Sequence, residues 1–489
     1  MRLKVLGILS LVLLTGCTSA LTSSEELNPE KSIDFFEQEL SWTDCESGFE
    51  CASFEAPVNW LDQDGESITI ALARQAESES LTPILLNPGG PGSSGIDFLI
   101  NGYQSLGTSF LRENFQLVAF DPRGVGRSNP VACEPEDTKD RLLYEHVDLP
   151  FGSPEYIEFT DQIFRDFAAS CSAGGISTGY LNTQQAARDM DLIRALLGQD
   201  QLNYLGFSYG TELGATYAAL FPERVGRFVL DGAVDPTMDP TTSLLGQMKG
   251  FDKALDAYLE DCLSQNFCPF DGDVEAAKAK ISSFLSARES RPLPAFNDRE
   301  LSLQSAIAGI IVTLYAKESW QYLTQAFEEA FAGNGSTFLL LADFYNDRNE
   351  SGGYSSNITE ANYAIACADG STYEDLPDLT SEIAAASSVF GKYFAAEDNS
   401  CSYWPKALGV QELDFTVPLA NPVLVVGTTG DPATPYEQAV ALSQLLSEAF
   451  LVTFEGEGHT AYGGNSCVNS LVDDFFAGTD PSLEQTLCR

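Results

Sequence analysis

Gly206-Phe207-Ser208-Tyr209-Gly210 lies between an apolar run, Leu202-Asn203-Tyr204-Leu205, and a segment rich in helix formers, Thr211 to Leu220. The first reads as a short strand and the second as a helix. Gly-x-Ser-x-Gly alone is a weak signal. In a strand, sharp turn, helix context it is the pattern of a nucleophile elbow, which presents a strained serine above the strand ends. The two glycines let helix and strand approach closely, and the helix N-terminus behind the serine favours developing negative charge.

A serine hydroxyl is a poor nucleophile until a base takes its proton. The chain has two histidines, His146 and His459. His459 follows Phe450-Leu451-Val452-Thr453-Phe454, which reads as a late strand, in the loop Glu457-Gly458-His459-Thr460. His146 precedes the serine with no strand before it, and reads as a solvated loop residue. The carboxylate that fixes the histidine tautomer is expected between serine and histidine in chain order. Asp431 fits, in the loop Thr428-Thr429-Gly430-Asp431-Pro432 after the apolar run Pro422 to Gly427. Ser208, Asp431 and His459 are therefore the candidate catalytic residues. Thr434 either orients the Asp431 carboxylate through its hydroxyl or caps a helix starting at Pro435.

Acyl transfer also needs donors for the oxyanion. One is expected at the Tyr209 amide. The second is expected in Pro88-Gly89-Gly90-Pro91-Gly92-Ser93-Ser94-Gly95, which follows the strand-like Ile84-Leu85-Leu86-Asn87. Pro91 has no amide hydrogen, so Gly90 is the candidate. No Lys-Ser/Thr pair follows these glycines, which argues against a phosphate cradle.

Strand-like runs also occur at 67–73, 115–120 and 225–230, with a helical pattern at 183–197. Their alternation argues for a doubly wound, mostly parallel sheet. From 237 to 415 the chain reads as helices and loops, including 247–263, 274–287 and 303–315. Strand signals return at Pro422.

The chain resembles the secreted tripeptidyl aminopeptidases of actinobacteria, α/β-hydrolases related to the prolyl iminopeptidases. The likeness rests on Asn87 to Gly95, Asp121-Pro-Arg-Gly-Val-Gly-Arg-Ser128, Gly206 to Thr211 and Phe221 to Gly232. Further matches are Ala364 to Asp369, Cys401-Ser-Tyr-Trp-Pro405, Gly430 to Pro435 and Gly458-His459. Pro88 departs from the histidine that prolyl iminopeptidases carry before Gly-Gly-Pro, at little consequence for a backbone donor. The resemblance implies an α/β-hydrolase fold split into a core at 42–236 and 416–489. A helical cap, 237–415, is inserted after the sixth strand. It implies the same Ser208, Asp431 and His459, no metal or organic cofactor, and a peptide substrate. Such an exopeptidase must recognise a free α-amine, and carboxylates near the serine would do so. Glu212 and Asp369 are the candidates; a helix-terminus charge and a loop cap are their plainer readings. Close relatives are described as esterases as well as peptidases, so an acyl ester is the alternative substrate. A non-catalytic peptide-binding lipoprotein is a remoter one.

Composition sets the compartment. Met1-Arg2-Leu3-Lys4, an apolar run from Val5 to Leu14 and Thr15-Gly16-Cys17 read as a signal peptide (1–17). The run is too short to span a bilayer. Leu14-Thr15-Gly16-Cys17 resembles a lipobox, so Cys17 is the expected lipidation site, followed by an acidic tether at 18–41. The remaining cysteines are even in number, as exported disulfide proteins require. Sequence cannot fix their pairing; neighbour pairing (45–51, 133–171, 262–268, 367–401, 467–488) is the simplest. With 26 basic and 71 acidic residues the net charge is -45, which repels nucleic acid and anionic membranes. Membrane contact is expected only through the lipid.

Overall fold

The computed structural model describes residues 34–46, 48–135, 137–370, 377–395, 400–482 and 486–489. The expected signal segment with Cys17, and the tether up to residue 33, lie outside the described residues. Core packing begins earlier than Trp42. Phe35, in the short helical turn Phe35–Glu37, is 3% exposed and packs against Trp60. The apolar face that Phe35 and Leu40 supply shortens the tether expected at 18–41.

Ten strands form one sheet: β1 (Thr43–Glu46), β2 (Phe49–Asn59), β3 (Asp62–Gln75), β4 (Thr82–Asn87), β5 (Phe115–Phe120), β6 (Leu202–Phe207), β7 (Val225–Asp231), β8 (Val423–Gly430), β9 (Ala449–Glu457) and β10 (Leu487–Cys488). Their spatial order is β1-β2-β3-β5-β4-β6-β7-β8-β9-β10. Strands β1 to β3 and the β3–β5 pair are antiparallel, and the rest of the sheet is parallel. This is the expected doubly wound, mostly parallel α/β sheet. The parallel strands are apolar along almost their whole length because helices cover both faces. Helices Thr183–Leu196 and Tyr209–Leu220 cover one face. Gly95–Gly102 and Ser466–Phe476 cover the other. The chain order reverses between β4 and β6, so the crevice above Asn87 and Phe207 is the topological switch point, where ligands bind in such sheets.

The helical insertion follows β7, the sixth strand of the sheet if the short edge strand β1 is left uncounted. Pro240–Leu263, Val274–Arg288, Leu303–Leu314, Trp320–Phe331 and Ser336–Tyr345 build an apolar core of their own. Ile358–Asp369 and Trp404 instead join the core on the sheet. Helix Asp137–Tyr144 and the loop to Phe151, from the β5–β6 connection, pack against the insertion. Five disulfides pair 45–51, 133–171, 262–268, 367–401 and 467–488. They join the neighbours along the chain.

Arg123 and Asp189 form a fully buried ion pair at 2.6 Å. Arg123 also donates to the carbonyls of Val58 at 2.8 Å and Tyr180 at 3.1 Å, while Trp60 Nε1 donates to Asp189 at 2.7 Å. One guanidinium thus joins β2, the turn after β5 and helix Thr183–Leu196. Removing one partner of a buried pair strands the other charge. Asp189→Ala is expected to cost about 3–5 kcal/mol, read as a lowered urea midpoint; an unchanged midpoint would contradict this role for the pair.

Candidate active site

Ser208 sits between β6 and helix Tyr209–Leu220 with φ 55° and ψ -128°. That conformation costs on the order of 1–3 kcal/mol and persists only where its surroundings enforce it. The enforcement is steric. A Cβ on Gly206 would stand 2.5 Å from the Gly210 carbonyl, and one on Gly210 would stand 2.8 Å from the Asn87 carbonyl. From the β4 side, a Cβ on Gly89 would meet the Phe207 carbonyl at 2.4 Å and Ser208 Cβ at 3.0 Å. The donor loop therefore lies directly on the elbow, with no room for side chains between them.

Asn87 shapes that loop. Its Oδ1 accepts the Gly89 amide at 2.9 Å. The next amide along, Gly90, has φ +110°. The Tyr209 amide belongs to the first turn of its helix, where amides lack intrahelical acceptors. Gly89 thus abuts Ser208 and the Tyr209 amide, and Gly90 follows it in the same loop. Asp121 braces the far end of the loop, accepting from Ser94 Oγ at 2.5 Å, the Ile96 amide at 3.1 Å and the Arg127 amide at 2.8 Å.

His459 and Asp431 stand within hydrogen-bond reach. His459 Nδ1 lies 2.9 Å from each Asp431 carboxylate oxygen. That carboxylate also accepts from the Ala433 and Thr434 amides, both at 2.9 Å, and from Thr434 Oγ1 at 3.0 Å. Thr434 therefore orients Asp431. It does not cap the following helix, Tyr436–Leu445, whose N-cap is Pro435 without a side-chain bond. Ser208 and His459 both abut the end of β7: the Ser208 amide donates to the Asp231 carbonyl at 2.9 Å. A Cβ on the adjacent Gly232 would stand 3.1 Å from His459 Cε1. Burial opposes the imidazolium, but the charge and hydrogen bond of Asp431 and the charge of Asp231 outweigh it. The pKa of His459 therefore lies above the usual ~6.5.

The insertion grips both loops. The His459 amide donates to the Tyr315 carbonyl at 2.7 Å, and the Tyr315 ring packs edge-on to the imidazole at 5.3 Å. A Cβ on Gly250 would stand 2.6 Å from the Pro432 carbonyl, and Gln247 Nε2 donates to the Ala433 carbonyl at 3.0 Å.

A cavity of about 1060 Å³ lies beside these elements. Three of its wall residues touch the site: Gln247 the acid loop, Asn362 the Pro91 carbonyl at 3.0 Å, and Tyr345 the Tyr315 ring at 6.3 Å. Much of its remaining wall is aromatic, with Phe151, Tyr156, Phe164, Tyr363, Tyr393 and Trp404.

Glu212 and Asp369 come together although they are distant in sequence. Asp369 accepts from the Thr183 amide at 2.8 Å and Thr183 Oγ1 at 2.6 Å. Burial pushes Asp369 up to about 6. Burial, reinforced by the charge of Asp369, pushes Glu212 up to about 8. Protein surrounds both carboxyls, yet Asp369 keeps an open face and Glu212 a partial one. Ala366, Cys367 and Gly370, beside Asp369, line the cavity. His146 lies apart in the loop after Asp137–Tyr144. Among the described residues no cluster of His, Cys, Asp or Glu is arranged to hold a metal ion.

Sequence reading missed Asp231, Asn87 and Tyr315. Asp231 left a signal: it is an acidic residue closing an apolar strand. Tyr315 left none, because its part is played by a backbone carbonyl.

The family model for the alpha/beta hydrolase fold matches residues 82–465. The chain is 36% identical to "Serine protease Hip1" of Mycobacterium tuberculosis, across 91% of this chain and 90% of the relative. It is 34% identical to "Carboxylesterase B" of the same species, across 90% and 86%. It is 29% identical to "Tripeptidyl aminopeptidase" of Streptomyces coelicolor, across 90% and 84%.

A base must be neutral to take a proton, so raising its pKa moves the active range upward. With a p-nitrophenyl ester, kcat/KM is expected to rise with pH through a midpoint above about 6.5. Asp431→Asn should lower that midpoint and reduce kcat by up to about 10⁴-fold. A pH-independent rate between 5 and 8 would contradict the assignment of His459.

Proposed function

The chain belongs to the α/β-hydrolase fold family, and we propose that within it this serine hydrolase is an exported aminopeptidase releasing short peptides from free N-termini. Ser208 attacks the scissile carbonyl. His459 takes the serine proton and returns it to the leaving amine, and Asp431 fixes the tautomer and stabilises the imidazolium. The Gly90 and Tyr209 amides hold the oxyanion. Water then releases the peptide acyl group by the same path in reverse.

The observation that carries the peptidase reading is the pairing of Glu212 with Asp369, next to residues that line the cavity. Glu212 is on the helix whose N-terminus backs Ser208, one turn further along. Two neighbouring carboxyls, one of them open to solvent, suit an α-ammonium. A cation placed there favours ionised Glu212 against the burial and the Asp369 charge that push its pKa up. The similarity to "Serine protease Hip1" and "Tripeptidyl aminopeptidase" supports this reading. A second reading, hydrolysis of acyl esters, draws support from the aromatic cavity wall and the similarity to "Carboxylesterase B".

Five disulfides fit an extracytoplasmic protein, and we propose a lipid anchor at Cys17. Cys17→Ser is expected to release the protein from the membrane fraction; unchanged retention would contradict the anchor.

A tripeptide p-nitroanilide with a free N-terminus is expected to be cleaved, and its acetylated twin to be cleaved at least about tenfold more slowly. Glu212→Gln and Asp369→Asn should each raise KM for the free form by about 10–100-fold, the worth of one charge-assisted hydrogen bond, without affecting an ester. Equal cleavage of free and acetylated substrates would overturn the amine-reading role. Turnover of esters alone would establish the second reading.

A further inference from the structure

Asp231 closes β7 and is sealed from solvent, at 0% exposed. Its carboxylate accepts the Ala461 amide at 3.1 and 3.0 Å and the Tyr462 amide at 2.8 Å. These amides belong to the two residues that follow Thr460, whose φ of 68° makes the turn out of His459. The Asp231 main chain meanwhile accepts the Ser208 amide at 2.9 Å. One residue thus ties the nucleophile by its backbone and the loop behind the base by its side chain.

We propose that Asp231 is a positioning residue for His459: its carboxylate fixes the loop that carries the imidazole, and its negative charge stabilises the imidazolium formed when Ser208 gives up its proton. The proposal rests on the reading of Ser208 and His459 as nucleophile and base. The proton passes from Ser208 Oγ to His459 Nε2; Asp231 neither gains nor loses one.

Hydrogen bonding alone does not account for an aspartate here. Burial, reinforced by the charge of Asp431, pushes Asp231 up to about 6, although its two amide donors and His459 act in the opposite direction. A carboxyl whose folded pKa exceeds its unfolded value of ~3.9 stabilises the fold at low pH and loses that contribution as pH rises through about 6. At neutral pH the Asp231 charge is therefore held at a cost in stability. An asparagine would retain most of the hydrogen bonding, because one oxygen, Oδ2, accepts from both amides. The charged groups facing His459 are Asp431 and Asp231, and those facing Asp231 are His459 and Asp431. The charge that costs stability adds to that of Asp431 in lifting the pKa of the base.

The test measures the rate of fluorophosphonate labelling of Ser208 against pH in the full chain, which needs no knowledge of the natural substrate. Asp231→Asn is expected to lower the midpoint of that profile by about half a unit or more. It should also slow labelling at the plateau about tenfold, with a Tm equal to or above the wild type. Asp231→Ser, which keeps an acceptor oxygen without charge, gives the same readout should the asparagine variant fail to fold. An unchanged midpoint in a folded variant would overturn the proposal. So would a loss of labelling that only follows a loss of folded protein. A wild-type chain that resists labelling would overturn the underlying reading of Ser208 and His459, and the proposal with it.

Discussion

The backbone of Ser208 is the constraint on which the rest of the site depends. A residue held at φ 55° and ψ -128° needs close packing on every side. Here that packing is main chain against main chain: Gly206 on Gly210, Gly210 on Asn87, and Gly89 on Phe207. Each contact requires the absence of a side chain. Strands β4 and β6 must end side by side at the switch point, and the parallel register that pairs Asn87 with Gly206 achieves this. The loop at 88–95 and the helix terminus then meet at the serine because of the elbow.

The insertion is not a detachable cover. Helix Pro240–Leu263 rests on the loop of Asp431, and the residue after helix Leu303–Leu314 holds the amide of His459. Both proposed partners of Ser208 are thus clasped between sheet and insertion. A displacement of these two helices would move acid and base together. The same two helices give the cavity Pro240, Leu244, Gln247 and Gln304, and the rest of its wall comes mainly from the β5–β6 connection, residues 362–370, Tyr393, Phe394 and residues 400–406.

What could be read from the sequence followed local chemistry. Ser208, Asp431, His459 and Gly90 each lie in a loop after an apolar run, and residue type and position on the strand end suffice to single them out. Glu212 could be placed on a helix near the serine, and Asp369 near a cysteine, but their meeting arises from tertiary packing. Asp231, Asn87 and Tyr315 act across gaps of sequence that only strand order closes. The helices between β5 and β6 went unrecognised as part of the cavity because the connection carries no signal of direction. The start of the core at Phe35 was missed for a similar reason: one aromatic residue in a polar segment gains its place only from Trp60.

Carboxylates recur around this site with a common physical cost. Asp231, Asp369 and Glu212 are all held above their ordinary pKa values by burial. A fold selected for stability alone would replace such groups, which makes them candidates for a functional use of charge. The account stands or falls on Ser208 being an activated nucleophile. The most direct measurement treats the full chain with a fluorophosphonate and maps the adduct by peptide mass spectrometry. A single adduct on Ser208 that disappears in His459→Ala is expected. An adduct on another residue, or one that forms equally without His459, would contradict it.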